Sequence, residues 1–106
     1  MDNIDKSLQQ LIADILSSEI YHAYDVQRNL VNQQPELKAQ IDRYRFLNLQ
    51  LQTNENTTFE QIDQFEREYA SFRENKLVSD FLAAELSFCR LLQDINMRLT
   101  DAMHFE

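Results

Sequence analysis

An all-α fold is predicted by three features of the chain. There is no glycine among its 106 residues, there is one proline (Pro35), and apolar side chains recur every three or four positions from Ile4 to Met103. Glycine is the usual residue where a backbone takes a positive φ or passes close to a ligand, so tight hairpins and phosphate-cradling loops lose their ordinary scaffold. Helices need neither. The expected architecture is a bundle of about four helices, the first and last long, associating as a dimer. Residues 1–106 are read as a single domain.

The first segment carries Ile4, Leu8, Leu11, Ile12, Ile15, Leu16, Ile20, Ala23, Leu30 and Val31 at helical spacing. Asp2 or Asn3 caps its start, and Asp5 sits in the first turn, where negative charge is favoured. It is expected to run unbroken to about Asn32, with Ser17-Ser18 as small residues at a helix crossing. Gln33-Gln34-Pro35-Glu36 ends it, because proline disfavours helix in the residue before it and suits the first position of the next helix. The second helix presents Leu37, Ile41, Tyr44, Leu47 or Asn48, and Leu51. Residues 53–57 are polar and form the expected loop, and Thr57 with Glu60, or Thr58 with Gln61, offers a capping box. The third helix carries the almost wholly aromatic stripe Phe59, Ile62, Phe65, Tyr69 and Phe72. Asn75 caps the fourth, whose stripe from Leu77 and Val78 through Phe81, Phe88, Leu91, Leu92, Ile95 and Leu99 leads toward Met103. Two long helices with a short hairpin between them leave apolar surface over, so a second copy or a partner is expected to bury the excess.

The net charge is −8 and is unevenly spread. Residues 53–74 carry −4 (six acids, two bases), while 35–52 carry +1 (Lys38, Arg43 and Arg45 against Glu36 and Asp42). A chain this acidic repels phosphate backbones, so no direct nucleic-acid partner is expected. The start, Met1-Asp2-Asn3-Ile4-Asp5, has neither a basic region nor an apolar run, so no secretory leader is expected. No apolar stretch approaches the roughly 18 residues of a membrane span, so no membrane partner is expected either. The single cysteine, Cys89, cannot form an internal disulfide, which fits a cytoplasmic location.

Chemistry is sparse. Glu19-Ile20-Tyr21-His22 places a carboxylate and an imidazole on one helical face, as in di-iron bundles, and Asp101-Ala102-Met103-His104 is a weaker copy that Glu66 and Glu85 could complete. His104 lies near the terminus, where helices fray, so no metal ligands are assigned. Cys89, one residue past Phe88, reads as a small apolar filler beside the buried stripe. Paired acids such as Asp63/Glu66 and Glu66/Glu68 read as a solvated helix face. No catalytic residues and no cofactor are expected. Most of the aromatic set Tyr21, Tyr24, Phe65, Tyr69 and Phe72 is expected in the core, but a surplus of rings on a small bundle is also what interface anchors look like, which makes these the candidate interface residues.

Over roughly residues 8–100 the chain resembles the YlbF/YmcA/YheA family of small helical bacterial proteins. The likeness lies in the helix from Leu11 to Tyr24, in Gln34-Pro35-Glu36-Leu37, in the aromatic–arginine pair Tyr44-Arg45, and in the run from Asn75 to Leu82 with Ala84-Glu85. The resemblance implies a dimerising or hetero-oligomerising bundle that regulates without catalysis. Some members act in a complex with ribonuclease Y that steers mRNA processing, competence, sporulation and biofilm formation in Gram-positive bacteria. The branch that carries a redox cluster has additional cysteines, so with Cys89 alone no cluster or flavin is carried over.

The expected function is therefore that of a non-enzymatic cytoplasmic regulator working by protein–protein contact. Its expected partners are itself, family paralogues or ribonuclease Y. Two other readings stand beside it: a metal-binding helical bundle using Glu19 and His22, and an acidic inhibitor or immunity-type protein for a basic partner.

Overall fold

The computed structural model describes residues 2–104. All its regular elements are helices: α1 (Asp2–Leu16), α2 (Glu19–Asn32), α3 (Pro35–Thr53), α4 (Phe59–Glu68), α5 (Ala70–Glu74) and α6 (Lys76–Ala102). The all-α class is as expected, but two of the four expected helices are broken, which makes six.

The first break falls at Ser17-Ser18. Ser18 has extended backbone (φ −73, ψ 153), and its hydroxyl accepts from the Tyr21 N–H at 3.1 Å while donating to the Ile15 carbonyl at 2.6 Å. A serine hydroxyl competes with the backbone for such bonds, so it ends one helix and caps the next. Ser18 is thus an N-cap rather than a small residue at a crossing.

The second break falls at Tyr69 (φ −102, ψ 9), between α4 and α5. The last carbonyls of a helix lack partners within it. Arg73 supplies one, donating to the Glu66 carbonyl at 3.1 Å and pairing with the Glu66 carboxylate.

Asp2 and Asn3, the expected caps of the first helix, lie inside α1 instead, with Asp2 and Asp5 in its first turn, while the signals at Pro35, Thr58 and Asn75 act where they were expected. Pro35 opens α3. Of the two candidate capping boxes, Thr58 with Gln61 forms: the Thr58 hydroxyl accepts from the Gln61 N–H at 3.2 Å, and the Gln61 side chain accepts from the Thr58 N–H at 2.9 Å. The Asn75 carboxamide oxygen accepts from the Leu77 and Val78 N–H groups at 3.0 and 3.2 Å. At the other end of α6, His104 adopts φ 54, beyond the C-cap Met103.

α2 and α6 form the main pairing. They run antiparallel, since Tyr21 meets Phe88 while Val31 shares a cluster with Val78 and Phe81. α3 lies on α2, and α5 on α6. The core where they converge is small: Val31, Ile41, Val78 and Phe81, flanked by half-buried Tyr24, Leu37, Phe72, Leu77 and Leu82. Phe65 is the fifth buried side chain among the described residues. α1 makes its principal contact with α2, the helix that follows it, and none of its described residues is buried.

The result is a flat slab of 50 × 37 × 18 Å with a radius of gyration of 17.6 Å. A compact domain of this length has a radius near 13 Å.

Candidate interaction surfaces

Two aromatic clusters organise the molecule. Tyr24 stacks on Phe88 (centroids 5.2 Å, planes 25° apart) and meets Phe81 at 6.1 Å, joining α2 to α6. Tyr44 stacks on Phe65 (5.4 Å, 13°) and touches Tyr69 and Phe72 at 5.3 and 5.6 Å, joining α3 to α4 and α5. Tyr21, Tyr24, Phe65, Tyr69 and Phe72 therefore all make ring contacts within the chain. Phe65 is buried, and the other four are half-buried.

The most exposed apolar side chains are different ones, and two sets stand out beside Ile20, Val26, Leu30 and Leu86. In one, Ile4, Leu8, Ile12 and Leu16 stripe α1, and Leu92, Leu99 and Met103 continue α6 past Phe88. In the other, Phe59 stands 82% exposed beside Ile62 on α4, with Phe46 and Leu49 exposed on α3. Phe46 and Leu49 lie off the buried stripe of α3 set by Leu37, Ile41 and Tyr44, which is the signal that marks them in the sequence.

Between the end of α3 and α4 lies an open cleft of about 540 Å³. Its apolar floor is Leu47, Leu51 and Phe65, and its rim is mostly amide: Gln50, Asn54, Gln61 and Gln64, with Glu68. The Thr57 hydroxyl at this rim is buried without a hydrogen-bond partner. The α4 side of this end lies within the −4 segment 53–74, and its α3 side within residues 35–52.

Arg28, Lys38 and Arg45 stand apart from it. Arg45 joins α3 to α6, bonding Asp42 at 2.6 Å on its own helix and Glu85 across the interface, with its guanidinium over the Phe81 ring at 5.7 Å. Burial works against that charge, but the Asp42 hydrogen bond and the Glu85 charge outweigh it and raise the Arg45 pKa. Arg28 donates to Asp25 and lies over Tyr24 at 5.3 Å; its hydrogen bonds to the Tyr21 hydroxyl and the Asp25 carboxylate raise its pKa. With Lys38, these arginines line a cavity of about 200 Å³ in front of Val31 and Ile41.

The candidate metal ligands are dispersed. Glu19 and His22 are exposed on α2, Glu66 is paired with Arg73, and Glu85 is paired with Arg45. The positive φ at His104 takes it off the helix that holds Asp101. Among the described residues no three His, Cys, Asp or Glu side chains gather where they could hold a metal ion. Cys89, expected as a filler beside the core, is exposed. One residue turns a helix by about 100°, so adjacency to Phe88 carries Cys89 off the buried stripe. No described helix is long and apolar enough to cross a membrane.

A family model described as control of competence regulator ComK, YlbF/YmcA matches residues 4–104. The chain belongs to the YlbF/YmcA family. No curated protein and no solved structure matches it. Membership supports a role in the regulation of competence in general, and the match takes in every helix of this YlbF/YmcA protein, from α1 to α6. Both exposed groups of apolar side chains, and the cleft between α3 and α4, therefore lie within the family's own domain.

Proposed function

We propose that this YlbF/YmcA protein regulates competence without catalysing a reaction, by presenting helix faces to other proteins in the cytoplasm. The observation that carries this reading is the contrast between five buried side chains among the described residues and the exposed apolar stripes of α1, α4 and the end of α6. Exposed patches of this kind, rimmed by polar groups, are characteristic of protein interfaces. Its partners on this reading are a second copy, a family paralogue, or ribonuclease Y, whose mRNA processing it would assist. The half-buried rings of Tyr21, Tyr24, Tyr69 and Phe72 act as the rigid base of these faces, and Phe59 and Ile62 are the outer anchors at the acidic end.

Affinity capture from the source bacterium at mild salt, combined with deletion of the gene, tests this. Ribonuclease Y or another RNA-decay protein should be recovered, and deletion should change expression of competence genes. Recovery of no RNA-decay protein rejects the ribonuclease part, and unchanged competence expression rejects the regulator.

A second reading, an acidic inhibitor of a basic protein, draws support from the −4 carried by residues 53–74. Its signature is capture of a basic protein that is lost steeply as salt rises.

A further inference from the structure

We propose that the cavity framed by Arg28, Lys38 and Arg45 binds an organic carboxylate, a single negative charge carried on an apolar or aromatic stem. None of the exposed apolar residues on which the proposed function rests lines this cavity, so the two stand or fall separately.

The chain concentrates positive charge here. Its net charge is −8 and it holds ten lysines and arginines, yet three of them line one cavity of about 200 Å³, with one acid, Asp42, in the lining. The cavity lies where α2, α3 and α6 meet: Arg28 comes from α2, Lys38, Asp42 and Arg45 from α3, and Phe81 from α6. Its inner wall is apolar, made by the buried Val31, Ile41 and Phe81 with half-buried Tyr24. The Arg28 and Arg45 side chains are 41 and 42% exposed and stand at the mouth with Lys38. An apolar wall with a few convergent polar groups is the usual form of a small-ligand site.

The two guanidiniums are already aimed. Arg28 lies over the Tyr24 ring and Arg45 over the Phe81 ring, and each is also held by carboxylates. Stacking and ion pairing together fix a guanidinium plane, so little side-chain freedom is left to lose on binding. Arg28 meets Asp25 and the Tyr21 hydroxyl through one nitrogen, Nη2. Arg45 spends Nη1 on Glu85 and Nη2 on Asp42. A guanidinium has more N–H donors than these contacts use, so both arginines keep donors to offer. Asp25 and Glu85 do not line the cavity. Lys38 forms no ion pair among the described residues.

Charge and shape select the ligand. The lining carries +2, three cations against Asp42, which favours an anion. A carboxylate matches the guanidinium fork, and its stem covers the wall of Val31, Ile41 and Phe81. Inorganic phosphate brings no apolar group to that wall and must shed a tighter hydration shell. A free small acid and the carboxylate terminus of a peptide share the required chemistry.

Titration of the full chain with sodium benzoate, followed by amide NMR shifts, tests the proposal. Benzoate should bind saturably with a Kd of about 1 mM or tighter, and the shifts should gather at residues 24–32 and 38–45. Benzamide, which has the same shape without the charge, and inorganic phosphate should each bind at least about tenfold more weakly. Lys38→Gln should weaken benzoate about tenfold, and Lys38→Arg should retain it. Arg43→Gln removes the same charge from an exposed position outside the lining and should leave binding unchanged. Both positions are exposed, so each variant should fold, and thermal melts check this. No saturable benzoate shift, shifts spread beyond the cavity, benzamide or phosphate binding as tightly as benzoate, or equal losses in Lys38→Gln and Arg43→Gln would each overturn it. The peptide Ala-Ala-Phe, with its C-terminus free or amidated, then separates the sources. Free-acid peptide binding more tightly than benzoate assigns the site to a partner's terminus, and weaker binding assigns it to a small acid.

Discussion

Phe88 of α6 stands edge-on to Tyr21 of α2, with ring centroids 5.3 Å apart and planes at 68°. Phe88 also stacks on Tyr24, so one ring fastens the start of α2 to the middle of α6. Beyond this contact both chain directions lead into exposed apolar stripes. Truncating a fully buried phenylalanine costs about 3–5 kcal/mol. Phe88 is half-buried, so Phe88→Ala should lower stability by about 2 kcal/mol. Denaturant unfolding at fixed protein concentration measures this, and a loss below about 0.5 kcal/mol would show that the rings do not hold α2 to α6.

Ser18→Ala removes the hydroxyl that accepts from the Tyr21 N–H. Loss of an N-cap costs about 1 kcal/mol, equivalent to roughly 4–8 °C in Tm for a domain near this size. Helical circular dichroism at low temperature should be unchanged or slightly raised, since alanine permits helix through the break. A variant as stable as wild type would mean that something other than this cap sets the break.

Asn75→Ala acts on the longest helix, of 27 residues. Two N–H groups, of Leu77 and Val78, lose one shared acceptor. Val78 is a core residue, so fraying there loosens packing as well as the cap. The expected loss is about 1–2 kcal/mol, larger than for Ser18→Ala, and thermal melts of the two variants side by side measure the order.

Arg45→Met removes the link from α3 to Glu85 while keeping apolar contact with Phe81. The Arg45 side chain is partly solvated, so solvent and salt screen its pairs and the expected loss is at most about 1 kcal/mol. Burial opposes its charge, but the Asp42 and Glu85 contacts outweigh burial and raise its pKa above the ordinary arginine value. A raised pKa contributes stability below the ordinary value and loses it only as pH climbs past the folded one, so the arginine itself adds no pH dependence near neutrality. Melts of wild type and variant from neutral to moderately alkaline pH should differ by a constant amount.

What the sequence revealed, and what it hid, divides by the range of the interaction. Pro35, Thr58 and Asn75 were legible because each acts on its own backbone within three residues. The break at Ser18 was hidden because the apolar period runs straight through it, from Ile15 and Leu16 to Ile20, and no glycine or proline marks it. The break at Tyr69 was hidden for the same reason, and its support comes from Arg73 reaching back seven residues. At the candidate surfaces, the aromatic stripe of the third predicted helix was visible, but spacing alone did not show that Tyr44 would engage Phe65, Tyr69 and Phe72. That contact draws these rings inward and leaves Phe59 outside.

On the proposed function, helix faces rather than any chemical site carry the regulation. The most direct test is expression of a competence reporter in a strain lacking the gene, complemented with wild type, with Phe59→Glu/Ile62→Glu, or with Glu19→Ala/His22→Ala. At equal protein levels and with folded protein in each case, the Glu19/His22 variant should restore regulation and the Phe59/Ile62 variant should not. Full restoration by the Phe59/Ile62 variant, or failure of the folded Glu19/His22 variant, would contradict the claim.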